Sequence, residues 1–203
     1  MKQLYHQDEA SVSSRLEAVN KMRKMVQTEG ECNIMDNIEK NTYVKAQMTD
    51  ALLKLLKEKE LKNISVSEIT ALAQVGRISF YRNYKEKEDI LKEYILILFG
   101  KWMKEYDDSG KNSNDELMGA MFAHLSEYGD FYRLLSDRKL LYLLKDVITW
   151  ICGPKPEYPN LGAYVAAFIS SGLYGWIEEW FARGMQESAE EMTEMLKNRA
   201  VEM

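Results

Sequence analysis

SVSEITALAQVGRISFYRNYKEK, residues 65–87, holds two short amphipathic runs separated by three residues. Ser65 can cap the first run with its hydroxyl, and Glu68 can reach back to the Ser65 amide, as in a capping box. Val66, Ile69, Leu72 and Ala73 supply the apolar side of that run. Gln74-Val75-Gly76 interrupts it, and Arg77–Tyr84 reads as a second short helix with Phe80 and Tyr84 inward at i, i+4 spacing. Two short helices this close cannot pack antiparallel. They cross steeply, which is helix-turn-helix geometry. The second helix of such a motif enters the DNA major groove while the first crosses the backbone.

The flanking sequence is helical on both sides. In Asn41–Lys59, the residues Val44, Met48, Ala51, Leu52, Leu55 and Leu56 lie on one helical face. Leu61–Ile64 is a break. Lys87–Tyr106 is a long helix carrying Ile90, Leu91, Tyr94, Leu98 and Trp102. Ser113–Glu116 and Ser188–Glu191 are further capping-box matches, the first opening a helix with Leu117, Met121, Leu125 and Tyr128. Gly129 and Asp130 interrupt that helix, and Phe131–Ile151 is helical with a break near Asp137. Pro154, Pro156 and Pro159 mark a loop, Leu161–Arg183 is a long helix stopped by Gly184, and Ala189–Met203 is the last helix. No strand, repeat or low-complexity tract is evident. The expected fold is all-α with about nine helices: a three-helix DNA-binding domain at 36–86, then a helical bundle at 87–203. Residues 1–35 are expected to be an N-terminal extension with a candidate tenth helix at Glu9–Gln27.

Composition narrows the function. The 203 residues are 46% hydrophobic and 29% charged, with only 3 prolines, which excludes collagen-like and proline-rich architectures. Cys32 and Cys152 are too few for a disulfide scaffold, and with His6 and His124 too few for a Cys- or His-based metal site. No nucleophile–base pair stands out, so no catalytic residue, cofactor or metal is expected. The N-terminus lacks an apolar signal core, and no apolar run approaches the roughly 18 residues of a membrane helix. A cytoplasmic protein without membrane partners is expected.

The net charge of −5 is unevenly spread. Residues 36–95 carry 11 basic and 10 acidic groups, whereas residues 96–203 carry 11 basic and 17 acidic. Gln74–Lys87 sets Arg77, Arg82, Lys85 and Lys87 against the single acid Glu86. Such a patch on an acidic molecule suits a compact DNA reader, although charge alone favours a solvated helix face. On a recognition helix, Arg77, Ser79, Arg82 and Asn83 are the candidates for base edges, and Ile78 for a thymine methyl. Tyr81, Lys87, Ser65 and Ser67 are the candidates for phosphate.

The run Ala51–Tyr94, and above all FYRNYKEKEDIL at Phe80–Leu91, resembles the DNA-binding domain of TetR/AcrR-family transcriptional regulators. Two positions depart from that pattern: Gln74 stands where glycine is usual in the turn, and Gly76 where a Ser or Asp cap is common. The turn is expected to close through the backbone freedom of Gly76. His124–Leu135 and Ser170–Met192 resemble a C-terminal subtype seen mostly in low-GC Gram-positive bacteria. The resemblance implies a homodimeric repressor of a palindromic double-stranded DNA operator, released by a small-molecule effector. Met35 falls where a typical member would begin. A helical co-regulator of the same fold, acting through protein partners without DNA readout, is the alternative.

Two further sites are expected in the C-terminal region. Tyr94, Trp102, Phe122, His124, Tyr128, Tyr132, Tyr142 and Trp150 could line a largely apolar effector pocket among the middle helices, where each could also be ordinary core. On Leu161–Arg183, the stripe Val165, Ile169, Gly172, Leu173, Trp176 and Trp180 would pack on its own domain. Ala163, Ala167, Ser171 and Gly175 would then admit a partner helix at the dimer interface.

Overall fold

The computed structural model describes residues 31–110 and 114–201, with side chains described over 37–110 and 116–196. The candidate helix at Glu9–Gln27 and the Ser113 cap lie outside these residues. Residues 1–43 and 44–203 are separate units, and the first helix begins in one and ends in the other. Among the described residues every regular element is helical: α1 (Glu31–Glu58), a 3-10 turn (Leu61–Asn63), α2 (Val66–Leu72), α3 (Arg77–Asn83), α4 (Lys87–Asp108), α5 (Asn114–Glu127), α6 (Gly129–Asp137), α7 (Tyr142–Cys152), α8 (Asn160–Ala182) and α9 (Ala189–Val201). Helix α1 begins at Glu31, ten residues before the expected Asn41. Gly129 opens α6 rather than lying between helices.

Local chemistry sets most boundaries. The Glu68 amide donates to Ser65 Oγ at 3.2 Å and the Ser65 amide to Glu68 Oε2 at 2.8 Å, so the α2 capping box is complete. Ser188 and Glu191 repeat it before α9, at 2.8 and 3.2 Å. Asp89 accepts the Lys85 and Glu86 amides, each at 2.9 Å, and fixes the start of α4. Helix α8 ends in a Schellman motif: the Met185 amide bonds Trp180 O at 2.8 Å, the Gly184 amide bonds Phe181 O at 3.0 Å, and Gly184 has φ 83°.

Within residues 44–203, Met48, Leu52 and Leu56 of α1, Ile69 of α2, Phe80 of α3 and Ile90 and Leu91 of α4 are fully buried together. Removing each such side chain from water is worth about 1.5–3 kcal/mol, which is what anchors two seven-residue helices too short to be stable alone. Leu72 departs from expectation: it is 47% exposed, and Thr70 takes its place in the buried line. The line Val66, Ile69, Thr70, Ala73 follows i, i+3, i+4, i+7, and Leu72 falls off that face. In the C-terminal region α5 packs on α9, α8 on both α6 and α7, and α4 on both α5 and α7. Among the described residues, no helix is long and apolar enough to cross a membrane.

Candidate nucleic-acid interface

Helix α3 has two unlike sides. Phe80 is fully buried and Tyr84, capping the helix end, is 5% exposed; their rings sit 5.9 Å apart. Ile78 and Tyr81 are 70% and 66% exposed, with Arg77 and Arg82 exposed beside them. Ser79 and Asn83 are half-buried, and Asn83 Nδ2 donates to Ser79 O at 2.8 Å, so part of its amide is spent within the helix. Ser65 and Ser67 are exposed at the start of α2, but the Ser65 hydroxyl is engaged with Glu68. Lys59 pairs with Glu68, and together with the Ser65 groups it holds the Glu68 carboxyl down at about 2.

The turn closes differently from the expectation. Gly76 has φ −71° and ψ 144°, ordinary extended backbone, so its conformational freedom is unused. Gln74 instead takes φ 55°. The Val75 amide bonds Thr70 O at 3.0 Å and the Gln74 amide bonds Ala71 O at 3.1 Å, which is the Schellman pattern that needs a left-handed residue at this position.

Lys87 turns inward. Its Nζ donates to Leu61 O at 2.7 Å and Ile64 O at 2.6 Å, tying the start of α4 to the 3-10 turn. Two residues without a sequence signal fix the other end of the motif. Glu93 of α4 accepts the Tyr84 hydroxyl and the Lys45 ammonium, each at 2.5 Å, and Lys45 lies 5.7 Å from the Tyr84 ring centre. Burial, reinforced by Glu93, pushes the Tyr84 phenol well above its usual range, so it stays a donor. Helices α1, α3 and α4 are thereby joined through one carboxylate.

Residues 112–200 match a TetR-type family model described as a transcriptional regulator C-terminal region. An uncharacterized HTH-type transcriptional regulator, YxbF of Bacillus subtilis (strain 168), is 24% identical over 170 residues, 76% of this chain and 45% of that protein. The chain thus spans less than half the length of the curated relative it matches. A TetR transcriptional regulator from Streptococcus agalactiae superposes with a TM-score of 0.55 at 21% identity, covering 80% of this chain and 96% of that one. Lin0861 from Listeria innocua gives 0.62 at 14% identity, covering 86% and 94%. The chain is thus similar to transcriptional regulators of the TetR type, most directly over residues 112–200.

Of the eight expected pocket residues, Trp102, His124, Tyr128 and Tyr132 pack together. His124 is 3% exposed and ringed by Phe99, Trp102, Tyr128 and Tyr132 at centroid distances of 5.0 to 6.1 Å. Its Nε2 is 3.2 Å from the Tyr132 hydroxyl. Burial first, and the charge of Lys101 second, push the imidazole down to about 4. Phe122 packs on Trp180, and Tyr94 on Phe131. Tyr142 and Trp150 are instead about half exposed on α7. Tyr142 lines a cleft of about 210 Å³ against α8, together with Ser136, Lys139, Leu141, Tyr174 and Glu178.

Helix α8 also sorts its faces differently from the expectation. Leu173 and Trp180 are buried, but Val165 and Ile169 are 49% and 47% exposed and Gly172 is open. With Leu161, Tyr164 and Phe168 they form an exposed apolar face. Ser171 and Gly175 are exposed beside it, whereas Ala163 and Ala167 are half-buried. The small residues therefore border a large apolar surface and do not form a separate stripe. Among the described residues no group of three or more His, Cys, Asp or Glu side chains could hold a metal.

Proposed function

We propose that the chain is a cytoplasmic homodimeric repressor that reads a palindromic DNA operator through α3 and is released by a small-molecule effector. Residues 36–86 take the DNA-reading role in this reading, and residues 87–203 the effector-binding and dimerising roles. The observation that carries it is α3 itself: Ile78 and Tyr81 lie in water between Arg77 and Arg82, while Phe80 behind them is fully buried. Large apolar side chains exposed among cations, on a helix clamped from behind, suit a groove edged by phosphates and thymine methyls. Arg77, Arg82, Ser79 and the outward part of Asn83 are the base readers; Tyr81, Ser67 and the Ser65 end of α2 face phosphate.

The exposed face of α8 supports the dimer. Leu161, Tyr164, Val165, Phe168 and Ile169 form a contiguous apolar patch of the kind that soluble proteins cover. Two such subunits would set their recognition helices about 34–36 Å apart on the two half-sites.

The test is selection of duplexes from a random pool, followed by gel shift with the enriched sequence. Salt-sensitive binding to an inverted repeat is expected. Arg77→Ala should cost about 1–3 kcal/mol and relax preference at one base pair. No enrichment by folded, dimeric protein would refute the reading and leave the co-regulator that acts through protein partners.

A further inference from the structure

The cleft between the α6–α7 turn and α8 joins two features that neither the DNA interface nor the dimer face uses. Its walls carry opposite charges: Lys139 stands on the turn and Glu178 on α8. Glu178 accepts the Tyr174 hydroxyl at 2.8 Å, which orients the carboxylate. Leu141 and the Tyr142 ring supply the apolar wall, and Ser136 a hydroxyl. At about 210 Å³ the space lies below the roughly 300–1,000 Å³ of sites for drug-sized ligands. A purely anionic guest would meet Glu178 and a purely cationic one Lys139. A small molecule with both charges and an apolar side chain satisfies all of the walls.

The second feature is the turn that holds Lys139. Its backbone is a Schellman motif, with the Leu140 amide on Leu135 O at 2.7 Å and the Lys139 amide on Ser136 O at 3.0 Å. Lys139 occupies the left-handed position at φ 58°, where a non-glycine residue is strained. The preceding residue, Arg138, reaches the other way. Its Nε donates to Leu56 O at 2.5 Å and its Nη2 to Lys57 O at 2.7 Å, capping the last turn of α1. Two residues further on, Lys59 pairs with Glu68 of α2. A guest that shifts Lys139 therefore shifts the residue bonded to it, and Arg138 carries the displacement to the helix that supports the DNA-reading motif.

We propose that this cleft binds a free amino acid with an apolar side chain, its ammonium on Glu178 and its carboxylate on Lys139, and that Arg138 transmits occupancy to α1. The transmission rests on the effector-controlled regulator proposed above; the binding does not. A ligand acts on DNA affinity only by its preference for one of two states, so α1 held and α1 released by Arg138 must differ in affinity for the guest.

The experiment screens the twenty standard L-amino acids against the full chain by thermal shift and titration calorimetry, without DNA. At least one apolar amino acid is expected to bind, with its decarboxylated amine and its deaminated acid each weaker by about tenfold or more. Glu178→Gln and Ala182→Trp, at two exposed cleft positions, should each weaken binding about tenfold while leaving the far-UV spectrum unchanged. If no amino acid binds, or if both variants bind as the parent does, the site is wrong. Gel shift on the selected duplex then reads the transmission: the bound amino acid should alter DNA affinity in the parent and not in Arg138→Gln. An equal ligand effect in Arg138→Gln overturns the transmission. Failure of the parent to bind any duplex counts against the regulator reading and leaves the calorimetric result standing on its own.

Discussion

Acidification from pH 7 to pH 5 should destabilise this protein through His124. The ring is 3% exposed, and burial lowers its pKa from an ordinary 6.5 to about 4. The unfolded chain takes up a proton near 6.5 while the folded chain refuses it until about 4. The stability is fully present above the unfolded value and is lost as pH falls toward the folded one. Linkage with those two values gives a loss of about 2 kcal/mol between about pH 7 and pH 5, at a slope that cannot exceed about 1.4 kcal/mol per unit. Glu68 is shifted in the same direction but lower on the scale: its carboxyl sits at about 2 against an ordinary 4.5, so its contribution fades only between those values, below the His124 window. Urea unfolding at half-unit pH steps, compared with His124→Gln, isolates the effect. The glutamine can keep a hydrogen bond to Tyr132 and carries no titrating proton. His6 is common to both proteins and cancels. Parallel loss of stability in parent and variant between pH 7 and 5 would refute the reasoning.

Gln74→Gly should stabilise the chain by about 0.5–1 kcal/mol, because the φ of 55° costs a side-chain-bearing residue about 1–2 kcal/mol and glycine returns part of that as chain entropy. The melting temperature should rise by about 1–4 °C, and a fall would show that the Gln74 side chain makes up for its backbone. Lys87→Ala should cost about 1–3 kcal/mol of stability by stripping the donor from the Leu61 and Ile64 carbonyls. An unchanged melt with uniformly weaker DNA binding would return Lys87 to the phosphate role. Phe168→Asp places a charge on a 71% exposed site of the α8 face and should halve the mass seen by light scattering while leaving helicity intact; a persisting dimer would place the interface elsewhere.

The sequence by itself determined the elements and the motif. Capping boxes at Ser65 and Ser188, the stop at Gly184, and the inward Phe80 and Tyr84 are settled by residues within a turn or two of each other, and all are found as read. The all-α architecture follows from those same local periods. Partner choice across the chain is a different matter. Lys87 carries the same charge whether it meets phosphate or two carbonyls 23 and 26 residues earlier. Arg138 gives no sign in the sequence that it caps a helix ending some 80 positions away. Lys45 and Glu93 are ordinary helix-surface residues until the fold places them on Tyr84. Helix α8 has more apolar residues than one core-facing side can take, so periodicity allowed two assignments. Packing against α6 and α7 decided that Leu173, Ile177 and Trp180 go inside and Val165 and Ile169 outside. Gln74 takes the left-handed position because the path from α2 to α3 requires one there, whichever residue the turn contains. Local hydrogen bonds and periodicity are written in neighbouring residues, whereas the partner of a long charged side chain and the covered side of a helix are set only when distant segments meet.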